Sequence, residues 1–116
     1  MALRNLAMVN DRQSDHAATQ KAYQRALQIA VDAQLGDLAL LVVTEAAASI
    51  AAPRDPLQAI AWFTLVMHHP DASAETRRKA AVQRGPLVTA VPSTAASAAQ
   101  ARGMALAVED VLAALA

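Results

Sequence analysis

The sequence has no cysteine, which removes a disulfide framework and thiolate chemistry together. Aromatic residues make up 3%, one each of Trp, Tyr and Phe, so a thick aromatic core is excluded. Glycine occurs only at 36, 85 and 103, and no glycine-rich loop is available to cradle a phosphate. Neither charge sign is in excess, with ten basic and ten acidic residues. A global electrostatic pull on nucleic acid or anionic lipid is therefore not expected. Long apolar runs are missing too. The most apolar region, Leu38 to Pro53, is broken by Glu45 and is too short to span a bilayer. The N-terminus MALRNLAMVNDRQ carries Arg4 and Asp11 and does not read as a signal peptide. A cytoplasmic protein with no membrane partner is expected.

What remains is alanine and helical periodicity. The composition is 55% hydrophobic, nearly half of it alanine, the best helix former and a residue that lets helices approach closely. Apolar spacing predicts a first helix over about 2–12 and a second over about 16–33, with Ser14-Asp15 as the cap between them. Gly36-Asp37 stops and restarts the chain, and a third helix covers about 37–52. Asp55 caps a fourth, with Pro56 at its first position, over about 56–68. His69-Pro70-Asp71 is a break before a fifth helix from about 72, which Pro86 should end or kink. A sixth starts at Pro92-Ser93-Thr94 and is closed by Gly103, and a last short helix runs to Leu115. Connections of two to five residues predict antiparallel hairpins.

Two phrases repeat forty residues apart. Asp15, Thr19, Tyr23 and Ala26 have the same offsets as Asp55, Ala59, Phe63 and Val66: a cap, a small residue, an aromatic, a small-to-medium residue. Upstream stand Leu3…Leu6-Ala7 and Val43…Ala46-Ala47. The pattern resembles the tetratricopeptide repeat. The first-helix Trp and Gly of that repeat are replaced here by aliphatics and alanine, and the period is 40 rather than 34. The Asp55-Pro56…Ala59-x2-Trp62-Phe63 segment is similar to Sel-type repeats as well. His69-Pro70, Ala74-Glu75-Thr76-Arg77, and Arg102-Gly103 through Glu109-Asp110-Val111 resemble the segment that closes the helical-repeat region of bacterial STAND-class signalling ATPases and LuxR-type or AfsR-type transcription regulators. That family usually places Ser or Thr where Ala107 stands, so the last helix is expected to fray.

The expected fold is all-α: antiparallel helical hairpins stacked as an α-α superhelix. The hairpins fall at about 2–33, 37–68 and 72–102, with a capping helix at about 106–115, in one domain. Leu3, Leu6 and Met8 would face a missing preceding hairpin, which predicts either a longer protein or a homodimer.

Candidate chemistry is sparse. His68-His69 are helix neighbours that do not share a face, and zinc needs more ligands, so no metal site is assigned. Arg77, Arg78, Lys79 and Arg84 form the one basic cluster and read as a solvated face. Glu109-Asp110 suit a helix start. No catalytic residue and no cofactor are assigned, so an enzyme is not expected. The resemblance implies a non-catalytic module that senses a ligand or binds a partner, as the regulatory part of a signal-transducing ATPase or transcription regulator. The alternative is a self-associating helical bundle. The partner would be a protein or a small effector. The first helix of each hairpin would form a concave binding face, on which Arg4, Met8, Val42 and Glu45 are placed. Phe63 is assigned to the core, and Trp62 to the core or to a partner-facing edge.

Overall fold

Between Ala2 and Asp32 the chain contains neither glycine nor proline, and in the computed structural model that whole stretch is one helix. The structure describes the backbone from Ala2 to Ala116 and the side chains from His16 onward. The first helix, α1, is Ala2–Asp32, 31 residues. The break expected at Ser14-Asp15 is absent, so the first hairpin does not exist. A polar residue inside a helix costs at most several tenths of a kcal/mol relative to alanine, ~0.5 each for Ser and Asp, which is too little to stop a long alanine-rich run.

α1 ends where hydrogen bonding makes it end. The Leu35 N–H reaches back to the Ala30 carbonyl at 2.9 Å and the Gln34 N–H to that of Val31 at 3.0 Å, a Schellman pair. Gln34 adopts the left-handed conformation (φ 58°) that usually selects glycine. Gly36, two positions on, has a different task. A Cβ there would lie 2.6 Å from Asp71 Oδ2, so its missing side chain admits the neighbouring loop.

The second helix, α2, is Gly36–Ala46 and continues into a π-helical turn, Ala47–Ala51. The Ala52 N–H reaches the Ala47 carbonyl at 2.8 Å. Small alanines at 46–48, 51 and 52 leave room for the wider turn. The third helix, α3, is Pro56–His68, with the Asp55 carboxylate accepting from the Gln58 N–H at 3.2 Å. Every residue from Ala59 to Val66 is buried, the signature of a helix enclosed on all sides.

The fourth helix, α4, is Ala74–Ala90, capped by Ser73 Oγ, which accepts from the Thr76 N–H at 3.2 Å. Pro86 lies inside it and does not end it. Two features tolerate the proline. Gly85 precedes it and carries no Cβ to clash with the ring, and Val82, whose carbonyl would have received the missing N–H, is on an exposed face. The fifth helix, α5, is Ser93–Ala105. Gly103 does not close it either. A Cβ at 103 would lie 2.7 Å from Thr64 Cβ and closer still to the Ala61 carbonyl oxygen, so this glycine lets α5 lie directly on α3. The last helix, α6, is Val108–Leu115. Asp110 supplies the missing cap, accepting from the Ala107 N–H at 2.8 Å, and Val111 and Leu115 are buried. The fraying expected at Ala107 is not seen.

No strand occurs among the described residues, and the fold is all-helical. α3 is central, packed against α2, the π-turn, α4 and α5, while α4 and α5 meet only marginally. α6 returns to pack on α1 and α2, and Gln20 Nε2 donates to the Leu115 carbonyl at 3.2 Å across 95 positions. In an open solenoid each hairpin touches only its neighbours, whereas here the last helix covers the first. One core joins Leu27 of α1, Leu40 and Val43 of α2, Phe63 and Val66 of α3, and Val111 and Leu115 of α6.

Candidate functional site

Three helices line a cleft. Asp37 in the first turn of α2 accepts from the Ser73 N–H, the cap of α4, at 2.7 Å. The N-terminal ends of α2 and α4 are thus tied together, and the two helices run the same way over α3. Farther along they part, leaving a cleft of about 600 Å³. Leu41, Thr44, Glu45 and Ala48 form one wall, Phe63 reaches it from α3, and Arg78, Lys79, Val82 and Leu87 form the other. Ala52, just beyond the π-turn, and Pro86 lie at its open end.

The walls differ in chemistry. Thr44 is buried, and its hydroxyl donates to the Leu40 carbonyl at 2.9 Å, which leaves that wall apolar apart from Glu45. On the other wall Val82 is 69% exposed. Lys79 pairs with Glu75 at 3.8 Å, both exposed, a pair of little energetic weight. Arg78 has no hydrogen bond or ion pair among the described residues.

The tie at the closed end has its own electrostatics. Asp37 titrates below the usual carboxylate range. The first cause is the Ser73 backbone N–H, opposed by desolvation and assisted by the hydroxyls of Thr76 and Ser73.

The remaining basic residues are occupied elsewhere. Arg77 Nη2 donates to the His69 carbonyl at 2.9 Å and finishes the end of α3. Arg84 Nη1 donates to Thr64 Oγ1 at 3.1 Å, while Thr64 donates to the Ile60 carbonyl at 2.8 Å. The basic cluster is therefore divided among tasks and does not present one face. His69 Nδ1 accepts from the Asp71 N–H at 3.1 Å, a turn contact, and no group of His, Cys, Asp and Glu suited to a metal occurs among the described residues.

A second cleft of about 430 Å³ lies where α1 ends and α6 begins, lined in part by Val31, Gln34, His69, Asp71 and Glu109. It is smaller, and its apolar surface is interrupted by those polar groups.

Of the residues assigned to a binding face, Glu45 stands in the main cleft. Val42 and Trp62 belong to the core, at 9% and 4% exposure. Val42 points away from the cleft because α2 turns it inward beside Val43. Trp62 lies in the stretch of α3, Ala59 to Val66, in which every residue is buried. Arg4 and Met8 lie outside the residues whose side chains are described. Arg78, Lys79 and Val82, which line the cleft, were not assigned to it from sequence. Their signal is helical spacing, since 78, 82 and 86 share one edge of α4 and 79 and 83 the next.

No helix among the described residues is long and apolar enough to cross a membrane. No family model matches the chain, and no curated protein or solved structure matches it.

Proposed function

We propose that this chain is a non-catalytic binding module whose partner, a protein or a small effector, sits in the cleft between α2 and α4. The observation that carries the reading is the cleft itself. It is of ligand-pocket size, apolar between Glu45 on one wall and Arg78 and Lys79 on the other, and backed by a core side chain, Phe63 at 1% exposure. Support comes from the order α2, α3, α4, in which the first helices of the second and third expected hairpins lie in contact. The resemblance of the closing segment extends the proposal: the module would be the regulatory part of a signal-transducing ATPase or transcription regulator, with occupancy of the cleft as its signal.

The test uses 1-anilinonaphthalene-8-sulfonate, an apolar anion suited to a cleft with Arg78 and Lys79 on one wall. Saturable fluorescence enhancement at one site is expected. Ala48→Trp should fill the cleft and reduce it severalfold with little change in melting temperature. Enhancement that is absent, or that Ala48→Trp leaves intact, would refute the reading.

A second reading, self-association as a structural bundle, has its own observation. Ile29, Leu35 and Leu38 are 60%, 48% and 47% exposed around the α1–α2 turn. Sedimentation across a concentration series distinguishes the two. A monomer at all concentrations removes the bundle, and a dimer abolished by Ile29→Glu establishes it.

A further inference from the structure

The α2–α4 cleft carries opposite charges on its two walls, and this restricts what can fill it. Measured from the Asp37–Ser73 tie, Glu45 lies eight residues along α2 and Arg78 and Lys79 five and six along α4, so at a rise of ~1.5 Å per residue they differ in depth by only ~3–5 Å. The charge contrast therefore runs mainly across the cleft, not along it. Between the walls the surface is apolar, with Leu41, Ala48, Val82 and Leu87. From Arg78 to Leu87 the α4 wall is about 14 Å long, the length of two and a half helical turns.

From this layout we infer, building on the function proposed above, that the occupant is an amphipathic α-helix of a partner protein. Its apolar stripe enters the cleft, its acidic edge faces Arg78 and Lys79, and its basic edge faces Glu45. The opposed charges favour a helix of this pattern over a single-sign amphiphile. A fatty-acid-like anion would satisfy the α4 wall and leave the Glu45 carboxylate opposed by apolar matter. A cationic amphiphile would do the reverse. A helix presents both edges at once, spaced on either side of one stripe, as i, i+3, i+4 and i+7 anchors require. Glu45 and Arg78 are both exposed and have no ion-pair partner among the described residues, so neither charge is already neutralised within the chain. The π-turn and Pro86 stand at the wide end of the cleft.

The experiment uses three synthetic helical peptides of about 14 residues with an identical leucine–alanine stripe. One has an acidic and a basic edge, one has two acidic edges, and one has two basic edges. Affinities are read by fluorescence anisotropy at low and moderate salt. The mixed-edge peptide is expected to bind on the order of tenfold tighter than either other at low salt, with the margin shrinking as salt rises. The double variant Arg78→Glu, Lys79→Glu should transfer the preference to the two-basic peptide, and Glu45→Lys should transfer it to the two-acidic one. All three positions are exposed, and unchanged circular dichroism confirms that each variant folds. Equal affinities, or preferences that the variants do not move, overturn the inference while dye binding leaves the proposed function standing. Dodecanoate displacing the dye where no peptide does so also overturns it, in favour of a lipid-like effector. Loss of both dye and peptide binding overturns the inference and the function together.

Discussion

The two halves of the forty-residue repeat meet different fates. Asp55 caps α3, whereas Asp15 lies within α1. Ala59, Phe63 and Val66 are all within 1% of full burial. Their counterparts Thr19 and Ala26 are exposed, and Tyr23 is half-buried with its hydroxyl on Ser49 Oγ at 3.3 Å. A matching pattern thus produced a central helix in one place and one side of a long peripheral helix in the other. What differs is the surroundings. α3 is flanked by Pro53-Arg54-Asp55 before and His69-Pro70 after, which bring α2, α4 and α5 around it. α1 has no glycine or proline within it, and it packs against α2 and α6 alone among the stronger helix pairs.

The largest expected effect exploits that difference. Phe63→Ala should cost about 3–5 kcal/mol, as large aromatic truncations in closed cores do. Trp62→Ala should cost a similar amount, because both rings are buried in one cluster. Tyr23→Ala should cost clearly less, since its ring is only partly covered. Urea denaturation of the three variants checks the order. If Tyr23→Ala matched Phe63→Ala, the two phrases would be structurally equivalent and α1 misdescribed as peripheral.

Next come two residues, Gly103 and Pro86, at which the helix runs on. Gly103→Ala places a methyl against the Ala61 carbonyl and Thr64 and should destabilise by about 1–3 kcal/mol through overpacking. Pro86→Ala restores a donor to α4 and should stabilise by about 1–3 kcal/mol, an exposed helix interior gaining most of the proline penalty back. Melting temperatures moving in opposite directions would confirm that one position is set by packing and the other only by chain stiffness. A fall for both would mean that the proline ring at 86 is itself packed.

These cases show how much of the molecule was legible. The ends of α3 were, because Asp55-Pro56 and His69-Pro70 combine a cap with a residue that cannot continue a helix. The start of α2 and the helical state of nearly every residue were also legible from alanine content and spacing. The single helix from 2 to 32 was not, because Ser14-Asp15 looks like a cap whether or not the chain turns there, and the small cost of either residue inside a helix does not stop the run. Gly103 was misread for a related reason: a glycine that admits a neighbouring backbone and one that ends a helix are the same letter. The return of α6 onto α1 depends on contacts across 95 positions, which periodicity does not encode. The cleft was visible through Glu45 alone. Its other wall needed the knowledge that α4 lies beside α2.

Caps offer a smaller and cleaner contrast. Asp55→Ala should cost about 1 kcal/mol through loss of the bond to the Gln58 N–H. Asp15→Ala should be neutral or stabilising by ~0.5 kcal/mol, since alanine is the better residue inside a helix. Equal costs would restore a break at Ser14-Asp15. Gln34→Gly relieves a left-handed residue at the end of α1 and should stabilise by up to ~1 kcal/mol, whereas Gly36→Ala should destabilise because Asp71 already fills the space.

The smallest effect concerns acid. Asp37 has a lowered folded-state pKa, so its contribution is present above the unfolded value near 3.8 and fades as pH falls through the lower folded value. Asp37→Asn should therefore destabilise at neutral pH and flatten the acid side of the stability profile below about pH 4. The same substitution loosens the tie between α2 and α4 without touching the cleft walls. If dye affinity in the cleft changes in Asp37→Asn while Phe63 remains packed, the closed end sets the width of the site. If stability alone changes, the walls are held apart by α3, and the tie serves only to start two helices at one point.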